Sequence, residues 1–138
     1  MKQEQAAAKP GGPINILVVD DSATMRAVIK RVVSLTEVPV GTIHEAANGR
    51  AALKILETSP VDAVFTDINM PVMSGDELLR EIAKQPRWNK ILRVVISTDG
   101  SKLRRKEAQE LNVSLYIEKP FRPEVVRDVL VEIARPVS

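Results

Sequence analysis

The feature that most constrains this chain is a regular alternation. From residue 14 onward, short apolar runs take turns with helix-length amphipathic segments, each bounded by turn residues. The runs span 14–19, 41–46, 61–66, 91–97 and 113–117. The first is followed by a helix signal in which Met25, Val28, Ile29 and Val32 recur at i, i+3, i+4 and i+7. Further helices are expected over 49–58, 75–84, about 101–112 and 123–134. The last opens with Pro123, whose missing N–H costs nothing in a first turn, and carries Val126, Val129, Leu130 and Ile133 on one face. Such alternation implies right-handed crossovers and a parallel sheet covered on both faces, an α/β doubly wound fold. The first, third and fourth runs (INILVV, VDAVFT, ILRVVIS) are nearly continuous apolar stretches, as strands buried on both faces require. A length of 138 residues fits one such domain. The expected boundaries are a polar, Ala-rich flexible leader at 1–13, the folded domain at 14–135 and a short tail at 136–138.

In a sheet of this kind ligands bind beyond the C-terminal ends of the strands. The first strand runs into Asp20-Asp21-Ser22, the third into Asp67, the fourth into Ser97-Thr98-Asp99 and the fifth into Glu118-Lys119-Pro120. A nucleotide-cradling chain would have glycines after its first strand, so that backbone N–H groups could approach a phosphate. Two acids stand there instead, and neither G-x-G-x-x-G nor G-x-x-x-x-G-K-[ST] occurs in the sequence. Two carboxylates about 4 Å apart repel by roughly 4 kcal/mol at an effective dielectric of 20, and a third worsens the balance. Such a rim must protonate in part or hold a cation. Hard carboxylate oxygens without His or Cys nearby suit Mg²⁺, or Mn²⁺, which typically shares its coordination with a phosphoryl group. An Asp carboxylate can itself be the nucleophile and form an aspartyl phosphate. Asp67, at the end of the central strand, is the best candidate. Asp20 and Asp21 would carry the metal opposite it, and Lys119 is a point charge suited to a phosphoryl oxygen or to an acid of the cluster.

Composition narrows the choice. Twenty basic against 18 acidic residues leave a formal charge of +2, so neither general nucleic-acid affinity nor a polyanionic character is implied. The absence of cysteine excludes a disulfide framework, thiolate metal sites and a Cys nucleophile. No apolar run approaches the roughly 18 residues a membrane span needs, and the N-terminus lacks the apolar core of a signal peptide. A cytoplasmic protein is expected.

With these residues in hand, the chain resembles a response-regulator receiver domain of two-component signalling, of the stand-alone CheY-like type. The resemblance covers about residues 14–134 and rests on VVDDS, FTDINMPVMSG, VVISTDGS and YIEKPF, in family order. It implies a flavodoxin-like, CheY-like sheet of order 2-1-3-4-5. It also implies that Asp67 is phosphorylated by a sensor histidine kinase or phosphotransfer protein. Asp21 and Asp67 would contact Mg²⁺ directly with the main-chain carbonyl of Asn69, and Asp20 would act mainly through water. Ser97 would be the switch hydroxyl, chosen over Thr98 by its spacing from Lys119. Tyr116 would be the aromatic that changes rotamer with it, Lys119 the phosphoryl-binding lysine, and Lys119-Pro120 a cis peptide. Asn69 and Asp99 would tune the lifetime of the phosphorylated state. An output protein would bind the face formed by the fourth helix, fifth strand and fifth helix, with chemotaxis one pathway so served. No direct DNA binding and no membrane partner are implied.

Blander readings exist for each part. Taken alone, Asp20-Asp21-Ser22 is a helix N-cap cluster, Ser97 an ordinary strand-end residue and Tyr116 a half-buried aromatic. His44 is expected on the surface of the second strand, and Met70 and Met73 in loop packing. Lys102, Arg104, Arg105 and Lys106 form a basic, solvated face. Their helix has few apolar anchors, chiefly Leu103, Ala108 and Leu111, which suits a moving part. The rival enzyme is an aspartyl-nucleophile phosphatase of the haloacid dehalogenase kind. Its D-x-D motif is unmatched, because Asp67-Ile68-Asn69 supplies Asn and Asp20-Asp21 has no spacer. The same residues would also serve in a fragment of a larger multidomain regulator, in a DNA-binding regulator with further sequence, or in a receiver that works without phosphate.

Overall fold

A computed structural model describes residues 13–98 and 105–134. The expected leader up to residue 12, Asp99, Lys102, Leu103, Arg104 and the tail at 136–138 lie outside the described residues. Five strands, β1 (Ile14–Val19), β2 (Val40–Ala46), β3 (Ala63–Thr66), β4 (Leu92–Ser97) and β5 (Leu115–Glu118), form one sheet. It is parallel throughout, in the order β2-β1-β3-β4-β5. The helices are α1 (Ala23–Ser34), α2 (Gly49–Thr58), α3 (Gly75–Ala83), α4 (Arg105–Glu110) and α5 (Pro123–Ala134).

Strand side chains alternate between faces, and the core divides accordingly. On one side Ile16, Val18, Phe65, Val94 and Ile96 meet Ile29 and Val33 of α1 and Val126 and Leu130 of α5. On the other, Leu17, Val19 and Val64 meet Ala52 and Leu56 of α2 and Leu78 and Ile82 of α3. β1 lies between β2 and β3, so the order of the strands reverses there and a crevice opens at their C-terminal ends.

The helices nearest that crevice begin with firm stops. Ser22 caps α1 by accepting a hydrogen bond from Met25 N at 3.1 Å. At α3, Ser74 and Glu77 form a capping box, each side chain meeting the other's backbone N–H.

The fourth and fifth units depart from the sequence reading. The expected helix end at 112 and strand start at 113 both move, because Asn112 adopts φ 56°. Val113 N then bonds back to Ala108 O at 2.9 Å and Asn112 N to Gln109 O at 3.1 Å, a Schellman closure that consumes both residues. A single-turn 3₁₀ helix, Pro86–Trp88, precedes β4 where the sequence pattern predicts none; it delivers the fully enclosed Trp88 to the core. β3 begins at Ala63 rather than 61, and Asp62 just before it is buried, accepting from Asn15 N at 2.7 Å. Within the apolar run of β4, Arg93 is only 1% exposed, its guanidinium donating to Leu111 O at 3.1 Å and Trp88 O at 3.0 Å. Two carbonyls near the ends of short helices thus receive a cation, favourable on charge as well as hydrogen bonding.

Candidate acidic phosphoacceptor site

Asp20, Asp21 and Asp67 come together at the C-terminal rim: each offers a carboxylate oxygen, and these oxygens all lie within 4.8 Å of one another. The ladder puts them there. Asp20 N bonds to Ala46 O at 3.0 Å and Asp67 N to Val19 O at 2.9 Å, so both acids leave adjacent strands at the same level.

Asp20 is 2% exposed and held on every side. Its Oδ1 accepts from Ser22 N at 2.9 Å, its Oδ2 from Lys119 Nζ at 2.7 Å, and its main-chain oxygen from Arg26 Nη1 at 2.6 Å. The N-cap expected of Asp20-Asp21-Ser22 is formed by Ser22, and the same loop carries two of the three clustered carboxylates. Asp67 is half-buried, with Oδ1 accepting from Ile68 N at 2.6 Å and Oδ2 from Lys119 Nζ at 2.9 Å. Thr66 Oγ1 donates to its main-chain oxygen at 2.8 Å. Asp21 is the exposed member of the three.

Lys119 bridges two of the acids from β5. Burial pulls its pKa down, but the hydrogen bonds it donates to Asp20 and Asp67, with the charge of those two acids, outweigh that and hold the ammonium above the ordinary lysine value. Three carboxylates facing one ammonium leave net negative charge in a partly buried crevice. Hard oxygens without imidazole or thiolate suit a divalent cation of the Mg²⁺ or Mn²⁺ kind, so the donor set fits that group.

Ser97, buried at the end of β4, accepts Lys119 N on its main-chain oxygen at 2.9 Å. Asn69 is exposed on the loop after Asp67. Tyr116 is opposite Val95 in the ladder and packs on the cluster of Ile68, Leu79, Val95 and Leu111, which joins the loop after Asp67 to the end of α4. The Lys119-Pro120 peptide is cis. Met70 and Met73 pack against the α2/α3 side of the core.

Further contributors carry no signal in the sequence pattern. A Cβ on Gly75 would overlap the carbonyl of Asp67, and Gly75 N donates to Ile68 O at 2.8 Å, so only glycine lets α3 start against the acceptor loop. Val72 of the same loop has φ 70°, with Met73 N bonded to Pro71 O at 2.7 Å, a γ-turn of the rare positive-φ form. Arg26 is tied to Glu45 of β2 by an ion pair of 2.9 Å. Sequence periodicity puts Arg26 on the polar face of α1 and gives no sign of these contacts.

A doubly wound sheet of order 2-1-3-4-5 with an acid pair, a third acid and a lysine on its carboxyl rim defines a signal-receiver class of domain. The chain belongs to the response regulator receiver domain family, whose sequence profile matches residues 16–131. It is 34% identical over 121 residues to a chemotaxis protein CheY homolog of Campylobacter jejuni, covering 87% of this chain and 92% of that protein. Among solved structures it resembles the chemotaxis response regulator CheY4 of Vibrio cholerae, with a TM-score of 0.76 and 26% identity, over 88% of this chain and 98% of that one. The Mn²⁺-bound form of response regulator Rcp1 is similar too, with a TM-score of 0.78 and 25% identity, over 91% of this chain and 98% of that one. No helix among the described residues is long and apolar enough to cross a membrane.

Proposed function

We propose that this receiver is switched by phosphorylation of Asp67, using a phosphoryl group from the phosphohistidine of a sensor histidine kinase or phosphotransfer protein. The observation that carries this reading is the convergence of three carboxylate oxygens within 4.8 Å, with Lys119 bound to two of the acids. Asp67 supplies the attacking oxygen. Asp21 and Asp67, with the main-chain carbonyl of Asn69 and with Asp20 acting through water, would hold Mg²⁺ or Mn²⁺. Such an ion neutralises charge as carboxylate and phosphoryl oxygens approach. Lys119 holds Asp67 Oδ2 before transfer and pairs with a phosphoryl oxygen after it.

In this reading Ser97 is the hydroxyl that turns toward the phosphoryl group. Tyr116 follows it, because its cluster contains both Ile68, next to Asp67, and Leu111, beyond α4. The face of α4, β5 and α5 then changes affinity for an output protein, which is how a bistable packing converts a local charge into a signal. Asn69 and Asp99 tune how long the phosphoryl group persists. The unit that does this is residues 14–135, a switch rather than a turnover enzyme. Its CheY relatives support a role in chemotaxis.

Incubation with acetyl phosphate and Mg²⁺, followed by intact mass, tests the reading. One phosphoryl mass gained by the unaltered chain and not by Asp67→Asn supports it; an equal gain in that variant, or none in either, refutes it.

A further inference from the structure

Asp21 is the acid whose aim is least explained. It is exposed, and among the described residues no hydrogen bond or ion pair holds its carboxylate, yet that carboxylate converges with Asp20 and Asp67. Its direction must therefore come through the main chain. The peptide joining Asp20 to Asp21 has its carbonyl oxygen on Asp20, and Arg26 Nη1 donates to that oxygen at 2.6 Å. On the flanks, Ala46 O receives Asp20 N and Asp20 Oδ1 receives Ser22 N, both structural features of strand and cap. The guanidinium is the only side chain among the described residues that grips the connecting peptide itself.

The grip is itself braced. Arg26 sits in the first turn of α1 with its side chain 17% exposed, and its Nε donates to Glu45 Oε1 at 2.9 Å. Glu45 stands beside Val18 in the β1–β2 ladder and also accepts from Lys30 Nζ at 2.8 Å. The fork geometry of the guanidinium allows one nitrogen to hold the carbonyl while another holds the acid. Glu45 fixes the guanidinium and offsets its charge next to a site that must attract a cation.

We propose that Arg26 is a positioning residue for cation binding: by clamping the Asp20–Asp21 peptide plane against α1 and β2, it aims the Asp21 carboxylate at Asp67. The inference rests on the divalent-cation reading of the site and deepens it. A residue that merely placed positive charge near the acids would weaken cation binding, so positioning and repulsion predict opposite signs.

Calorimetric titration with Mg²⁺ of the unphosphorylated chain reads this directly, with thermal melts as a check on folding. Arg26→Ala should weaken Mg²⁺ binding about tenfold, the lower range for loss of a ligand's supporting hydrogen bond. Arg26→Gln and Arg26→Lys, which still donate to the Asp20 carbonyl, should recover part of that loss. The amide resonance of Asp21 should shift in the Ala variant more than those of β4. Mg²⁺ binding as tight as, or tighter than, that of the unaltered chain in both Arg26→Ala and Arg26→Gln would overturn the inference alone. Absence of saturable Mg²⁺ binding in the unaltered chain would overturn the functional reading and this inference with it.

Discussion

Asp21→Asn should make the protein more stable without Mg²⁺ and less responsive with it. The exposed Asp21 faces Asp20 and Asp67, whose two charges are offset once by Lys119, so it meets a net charge of about −1. At 4.8 Å that repulsion is about 0.9 kcal/mol in water and about 3.5 kcal/mol at an effective dielectric of 20. Because Asp21 is exposed, the lower part of that range applies, roughly 1 kcal/mol. For a domain of this size that is roughly 4 °C in melting temperature. Added Mg²⁺ reverses the order. The unaltered chain gains about 2.7 kcal/mol at a concentration 100 times its Kd, whereas the variant has lost a ligand and gains little. Scanning calorimetry of both chains in EDTA and in excess Mg²⁺ measures all four melts. Raised salt should shrink the difference seen in EDTA. If Asp21→Asn melts at or below the unaltered chain in EDTA, or if both gain equally from Mg²⁺, the carboxylates do not strain one another as argued.

Three further outcomes follow from the same geometry. Val72→Asn should raise stability by about 1 kcal/mol in chemical denaturation, since a β-branched residue at φ 70° is strained while Asn tolerates that region, and Val72 is 73% exposed and loses little burial. Gly75→Ala should destabilise by about 1–3 kcal/mol and, by amide resonances, move Asp67 and Ile68, because the added methyl meets the Asp67 carbonyl. The Glu45 carboxyl is held below its usual range first by the Lys30 hydrogen bond and then by that of Arg26, so the pair is intact above the ordinary glutamate pKa. It is lost as pH falls through the lower folded value, which the Arg26 Nε–H resonance should track; a transition at the unperturbed glutamate pKa would contradict the contact.

Much of the architecture is legible in the sequence because its causes are local. Alternating apolar runs and helical periodicity give the order of elements, and the acids at strand ends mark the crevice, since strand C-termini in a parallel sheet share one rim. Lys119 can be placed beside Asp67 for the same reason. What stays hidden depends on contacts distant in sequence. Arg93 is disguised by the apolar run around it, and its partners Trp88 and Leu111 belong to separate elements. Pro86–Trp88 is too short for periodicity to detect. The end of α4 turns on one left-handed residue, Asn112, a C-cap type that its identity alone could flag. Leu111, just beyond that helix, gives its carbonyl to Arg93, and Glu107 pairs with Arg80 of α3, both contacts across elements that apolar content does not report. Arg26 is invisible to pattern because its role lies in a carbonyl six residues back and an acid on another strand.

The most direct test of the phosphoacceptor site is chemical. After incubation with acetyl phosphate, borohydride reduction converts an aspartyl phosphate to homoserine, and peptide mass mapping locates it. Homoserine at position 67, formed only when Mg²⁺ is present, is the predicted result. Homoserine at another aspartate, or at 67 to the same extent in EDTA, would contradict it.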